Sequence, residues 1–156
     1  MQNPEHIIAI LPAGLGDLGA VWRLERACFG PDAWGLIELT IALLSPTIRL
    51  KVIDGGRLIG FAIGEARARG KEGWIATLGI HPDYQRRGLG RQLLAAVEAR
   101  LAAPTLKLTV RATNAPAIAL YEQFGYRPVD RIPRYYNGGE DGLVMERRRP
   151  GQSPRG

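Results

Sequence analysis

The stretch "LGIHPDYQRRGLGRQLLAAVEARL", Leu78 to Leu101, runs a strand end into a glycine- and arginine-rich turn and then into an apolar helix. Leu89, Leu93, Val97 and Leu101 recur at every fourth position, which is the spacing of one buried helix face. The first N–H groups of a helix have no partner inside it, and the macrodipole places about half a positive charge there. Gly88 and Gly90 let those amides approach a bulky anion, and Arg86, Arg87 and Arg91 add charge and donors around them. Such a turn is a cradle for phosphate or pyrophosphate. The plainer alternative is a solvated basic cap. It is not a P-loop, since no Gly-Lys-Ser/Thr follows, and not a dinucleotide fingerprint, since the G-x-G lacks its third glycine.

Outward from this segment, the chain alternates between strand and helix patterns. "HIIAIL" (His6–Leu11) predicts a short strand, and "GDLGAVWRLERACF" a helix with Asp17 near its start. "AWGLIELTIALL" (Ala33–Leu44) predicts a second helix, ended by Ser45-Pro46. "TIRLKVID" and "RLIGFAIGEARA" flank Asp54-Gly55-Gly56, a hairpin signal, and "WIATLGIH" is a third strand stopped by Pro82. After the helix, "TLKLTV" alternates again. "NAPAIALYEQFGY" is a helix with Asn114 at the N-cap, Pro116 in the first turn and Gly125 at the close. "YRPVDRI" and "GLVMER" are strands across a turn holding Asn137-Gly138-Gly139. The order β-α-α-β-β-β-α-β-α-β-β predicts an α/β fold with a mixed, mostly antiparallel central sheet flanked by helices.

A chain of 156 residues is expected to form one domain, here spanning 1–149, with a disordered basic tail over 150–156. Apolar residues at 46% and charged residues at 23% exclude disordered and fibrous classes. No apolar run approaches the ~20 residues that span a bilayer, and the start lacks a secretory n-region, so no membrane partner is expected. One cysteine, Cys28, cannot form an internal disulfide; it reads as a small buried apolar residue, and the location as reducing and cytoplasmic. The formal net charge of +6 suits an anionic partner without requiring nucleic acid. His6 and His81 have no partners at metal-ligand spacing, so no metal is expected.

The turn "QRRGLG", after the strand end "LGIHPDY", resembles the Q/R-x-x-G-x-G/A acetyl-coenzyme-A signature of the GCN5-related N-acetyltransferase (GNAT) family. "VRATNAPAIALYEQFGY" resembles the family's second coenzyme-side strand and helix. "RYYNGGEDGLVM" resembles the carboxy-terminal hairpin of its RimI-type ribosomal-protein alanine N-acetyltransferases. The likeness runs from about Trp74 to Met145. It implies acetyl-coenzyme A as co-substrate and a protein N-terminal α-amine as acceptor, with lysine or a small-molecule amine as the alternative. An acyl-coenzyme-A-binding module with little catalysis is a further alternative; an RNA-docking domain is disfavoured because no aromatic platform is visible.

The resemblance also implies roles. Backbone groups of Leu78, Gly79 and Ile80 would hold the pantetheine arm, and the amides from Arg86 through Arg87, Gly88, Leu89 and Gly90 to Arg91 the pyrophosphate. Asn114 would contact the cofactor, and Tyr121 would protonate the departing thiolate. As ordinary structure these are strand backbone, a basic cap, a helix N-cap and a core-edge tyrosine. Tyr135 and Tyr136 would shape the acceptor groove, or merely pack as a wall. RimI-type enzymes carry their glutamate base where Thr109 stands here, and threonine cannot fill that role near neutral pH. Glu65 is the candidate substitute base and Glu72 a poorer one; both are otherwise solvated charges.

Overall fold

The computed structural model describes residues 7–150. Its strands are β1 (Ile8–Pro12), β2 (Ile48–Asp54), β3 (Arg57–Arg67), β4 (Glu72–Ile80), β5 (Thr105–Arg111), β6 (Arg127–Ile132) and β7 (Gly142–Arg148). Its α-helices are α1 (Leu18–Phe29), α2 (Leu36–Leu44), α3 (Leu89–Arg100) and α4 (Ala115–Gln123). The order is the one the sequence predicts, and the strands join one sheet in the order β1-β2-β3-β4-β5-β7-β6. β1–β2, β5–β7 and β6–β7 pair antiparallel, and β4–β5 pair parallel across the α3 crossover. His6 and the tail beyond Pro150, including most of its expected basic segment, lie outside the described residues.

Local chemistry explains where the elements start and stop. Gly55 (φ 53°) and Gly56 (φ 85°) both take the left-handed backbone that a two-residue hairpin turn demands between β2 and β3. The second helix begins at Leu36, three residues after the expected Ala33. Gly30–Asp32 first form a 3-10 turn, and the Trp34 N–H is drawn to the Glu25 carboxylate at 3.3 Å. Asp17 does not cap α1 through its side chain; it accepts from the Gly14 N–H at 2.9 Å and pairs with Lys51 at 2.8 Å.

Contacts within the chain divide it into two compact units. The first comprises residues up to Ile63 and Thr77–Val97; its core holds Val21, Leu39, Ile59, Phe61, Leu93, Leu94 and Val97, each at most 1% exposed. Six consecutive buried residues, Ile59 to Gly64, show that β3 is covered on both faces. The second unit comprises Gly64–Ala76 and the chain from Glu98 onward, with Leu106, Tyr126 and Met145 fully buried. Its centre carries a buried charge. Glu98, 6% exposed, accepts from the Tyr126 hydroxyl at 2.8 Å and pairs with Arg147 at 2.5 Å, so none of the three is left unpaired away from water.

Candidate active site

In the first unit, the site begins at the end of β4. Burial alternates along that strand until Gly79 and Ile80, which are both buried, so the regular pleat breaks there. The parallel ladder between β4 and β5 starts at Glu72↔Thr105 and ends at Ile75↔Leu108, five residues before β4 itself does. A Cβ on Gly79 would lie 3.1 Å from Cys28 Sγ and 3.2 Å from the Phe29 ring, so glycine lets α1 press against the strand. The Ile80 carbonyl accepts from Cys28 Sγ at 3.3 Å and from Gln85 Nε2 at 3.0 Å. Cys28 is half-buried, and its thiol is pushed up to about 12 by burial, with the Glu25 charge adding to it. It is a hydrogen-bond donor to the strand, not a nucleophile.

The turn that follows has the backbone of an anion cradle. Arg86 (φ 63°) and Gly88 (φ 77°) both adopt left-handed conformations, which turn successive amides to one side. The Gly88 carbonyl accepts from the Gln92 N–H at 3.1 Å, the first helical bond of α3. The N–H groups of Leu89, Gly90 and Arg91 therefore form the open first turn. Leu89 points inward at 5% exposed, while Arg86, Arg87 and Arg91 stand in solvent. Arg87 is pre-organised: it donates to the Asp83 carbonyl at 3.3 Å and lies 5.1 Å over the Tyr84 ring.

Beneath β4, Glu25 is 3% exposed and accepts from the Thr77 hydroxyl at 2.7 Å as well as from the Trp34 N–H. Burial raises its carboxyl above the ordinary range, and the two donors offset part of that rise. This pin between α1, the connection to α2 and β4 was not anticipated; a lone glutamate in an otherwise apolar helix face was its sequence signal.

The second unit carries the groups expected to act on the reacting atoms. Asn114 caps α4, its side-chain oxygen accepting from the Ala117 N–H at 3.3 Å. Tyr121 lies on α4, 9% exposed, with its ring edge-on to Tyr126 at 6.0 Å. Burial pushes its phenol up to about 12. No hydrogen bond ties the Tyr121 hydroxyl among the described residues, and no buried side-chain oxygen or nitrogen there lacks a partner.

Thr109 lies on β5 with the loop before β7 against it. The Tyr136 hydroxyl donates to the Thr109 carbonyl at 3.2 Å, and the Tyr135 ring stands at 85° to that of Tyr136, 4.9 Å away. A Cβ on Gly142 would meet Thr109 Cγ2 at 2.9 Å and Tyr135 Cβ at 3.0 Å, so this glycine allows the close approach. Tyr135 is 53% exposed and forms an open wall. Glu65 is partnered by Arg67, whose Nε lies 2.8 Å from it, and that guanidinium also covers the Trp74 ring at 4.6 Å. Glu72 accepts from Trp74 Nε1 at 3.0 Å and from Lys107 at 2.8 Å, and these bonds hold its carboxyl below the ordinary range. Both carboxylates are thus engaged in pairs, Glu65 along β3 and Glu72 across to β5. Among the described residues, no group of three His, Cys, Asp or Glu side chains is placed to hold a metal ion. No helix there is long and apolar enough to cross a membrane.

The open helix mouth, with Arg86 and Gly88 in left-handed backbone, suits the phosphates of a carrier molecule. The model of the acetyltransferase (GNAT) family matches residues 20–126, more than half the chain, and the protein belongs to that family. It is similar to the ribosomal protein bS18-alanine N-acetyltransferase of Salmonella typhimurium, 38% identical over 135 residues, covering 83% of this chain and 89% of that one. It is 35% identical over 99 residues to the catalytic subunit NAA20 of the N-terminal acetyltransferase B complex of Arabidopsis thaliana, spanning 57% of that protein's length. Among solved structures, that of the ribosomal-protein-S18-alanine N-acetyltransferase from Escherichia coli superposes with a TM-score of 0.85 at 28% identity, covering 96% of this chain and 98% of that one.

Proposed function

We propose that this acetyltransferase moves the acetyl group of acetyl-coenzyme A to the N-terminal α-amine of a protein or peptide, by direct transfer with both substrates bound. The amine nitrogen attacks the thioester carbonyl, the carbonyl oxygen gathers negative charge, and the C–S bond breaks as the amine sheds a proton. The products are an acetylated amine and the free thiol of coenzyme A. A main-chain N–H from Leu78 to Ile80 donates to the oxyanion, and the open amides of α3 grip the pyrophosphate. Asn114 contacts the cofactor from the start of α4. Tyr121 delivers the proton to sulfur; with its phenol pushed up to about 12 it is fully protonated at neutral pH. Tyr135 and Tyr136 wall the acceptor.

The observation that carries the choice of acceptor is Thr109. Its hydroxyl cannot take up a proton, while Glu65 and Glu72 are already paired with Arg67 and Lys107. A reaction without a strong base needs an amine that is already partly neutral. An α-amine with a pKa of about 8 is roughly one-tenth neutral at pH 7, whereas a lysine at about 10.4 is neutral in less than about one molecule in a thousand. Water along the groove then suffices to carry the proton away. The relatives named for alanine N-terminal and N-terminal acetylation support the same acceptor class. A cytoplasmic location, with neither membrane nor nucleic acid as partner, fits that substrate.

The test is coenzyme A release with peptides bearing a free α-amine, against the same peptides blocked at the N-terminus and carrying an internal lysine. Release with the first set alone is expected. Release with the second set at comparable kcat/KM would overturn the acceptor assignment, and tight cofactor binding without turnover on either would identify a binding module.

A further inference from the structure

The loop from Pro133 to Asp141 carries Tyr135 and Tyr136, yet it has no strand of its own. One carboxylate ties it down. Glu140 accepts from the Thr113 N–H at 3.1 Å and from the Thr113 hydroxyl, and its other oxygen is paired with Arg111. Its own carbonyl accepts from the Tyr136 N–H at 3.0 Å, which closes the loop on itself. Arg111 in turn covers the Tyr136 ring at 4.9 Å. Thr113 belongs to the turn between β5 and α4, immediately before Asn114. Asp141 extends the tie: its carbonyl accepts from the Ala112 N–H at 3.0 Å and its carboxylate from the Arg134 N–H at 3.1 Å and Arg131 Nε at 2.6 Å.

From this arrangement we infer that Glu140 is a positioning residue for the acceptor. It locks the Tyr135–Tyr136 wall to the β5–α4 turn and so fixes where the incoming amine is held. The inference rests on the reading of Tyr135 and Tyr136 as the acceptor wall. Two kinds of bond meet at this carboxylate, and they do different work. The two Thr113 donors fix the place of the loop backbone. Arg111, held on the other oxygen, fixes the tilt of Tyr136, whose hydroxyl is anchored on Thr109. Neither bond involves a residue of the turn that opens α3, so the grip on the cofactor pyrophosphate is expected not to depend on them. A glutamine at position 140 still accepts from Thr113 but loses the charge that holds Arg111. The wall then stays near its place and loses its orientation.

The experiment measures steady-state kinetics of Glu140→Gln with an acceptor peptide, and acetyl-coenzyme A affinity by calorimetry, well below the thermal midpoint. The expected result is an acceptor KM raised about tenfold or more, since a wall misplaced by an ångström costs that much. Saturating peptide should restore most of kcat, and acetyl-coenzyme A affinity should stay within about twofold of the parent. An unchanged acceptor KM overturns the proposal, and so does an equal loss of affinity for both substrates, which would place the effect at Asn114. Should Glu140→Gln fail to fold, Thr113→Val removes one donor only and decides by the same criteria. Tyr135→Ala and Tyr136→Ala test the parent reading separately. If they raise the acceptor KM and Glu140→Gln does not, the positioning role alone falls; if neither changes it, the acceptor wall itself is elsewhere.

Discussion

Tyr121→Phe separates chemistry from structure unusually well in this protein. The hydroxyl makes no hydrogen bond among the described residues, while the ring is 9% exposed and packs edge-on to Tyr126. Phenylalanine keeps that packing, so stability should change by less than about 1 kcal/mol, a shift in Tm of no more than about 2–4 °C. Losing a general acid lowers turnover by about a hundredfold to ten-thousandfold, or roughly 3–5 kcal/mol of barrier. The phenol at about 12 lies above the thiol at about 8.5, so complete transfer to a free thiolate is uphill by roughly 3–4 pKa units, about 5 kcal/mol. In the proposed mechanism the proton therefore has to move as the C–S bond breaks rather than after it. The assay is single-turnover acetylation of an α-amine peptide, with calorimetry of acetyl-coenzyme A and thermal melts on the same preparation. In the parent enzyme the rate should climb with the amine near pH 8 and show no decline from Tyr121 below about pH 11. Turnover within threefold of the parent refutes the assignment, and a large drop in Tm would show that the hydroxyl held the fold instead.

Other perturbations give equally definite outcomes. Gly88→Ala introduces no clash, because nothing lies within 4 Å of its Cβ, but it forces φ of +77° on a side chain; about 1 kcal/mol of stability and severalfold of acetyl-coenzyme A affinity should go, as read by melts and calorimetry. Thr109→Glu should raise the α-amine rate at pH 7 and flatten its pH dependence between about 7 and 8, because a carboxylate there takes the proton the amine must lose; an unchanged profile would place proton removal elsewhere. Gly142→Ala pushes a methyl to 2.9 Å from Thr109 and 3.0 Å from Tyr135, so it should cost about 1–3 kcal/mol and raise the acceptor KM. Glu72, Glu140 and Asp141 are all held below their ordinary range by hydrogen bonds and ion pairs. Their contribution is complete above the unfolded values near 4 and is lost as pH falls through the lower folded values, so Tm should drop as pH falls below about 4. Glu25, shifted upward by burial, works the other way: stability rises as pH falls from its raised folded value toward the unfolded 4.5, and Glu25→Gln should abolish that rise.

Much of the fold was legible because its signals are local. The pair Gly55-Gly56, the four-residue spacing from Leu89 to Leu101 and the Asn114 cap each depend on neighbours in sequence. The start of α2 was not legible, because Trp34 is pulled out of the helix by Glu25, nine residues away. Nor was the company kept by Glu65 and Glu72, since a carboxylate looks the same in sequence whether solvated or paired with Arg67 or Lys107. The Glu140–Asp141 tie was missed for a similar reason. An acidic pair after a glycine turn reads as surface until Arg111, Thr113 and Arg131 are brought to it by tertiary structure.

The single thiol has a practical consequence. With a pKa near 12, Cys28 is thiolate in only about one molecule in 10⁵ at pH 7, and its hydrogen is committed to the Ile80 carbonyl. A thioester substrate laid along that strand would not lose its acyl group to the polypeptide, and alkylating reagents would ignore the native state. Once the chain opens, the same sulfur becomes an ordinary reactive group. Pulsed labelling with iodoacetamide therefore offers a background-free count of unfolded molecules, with no engineered probe.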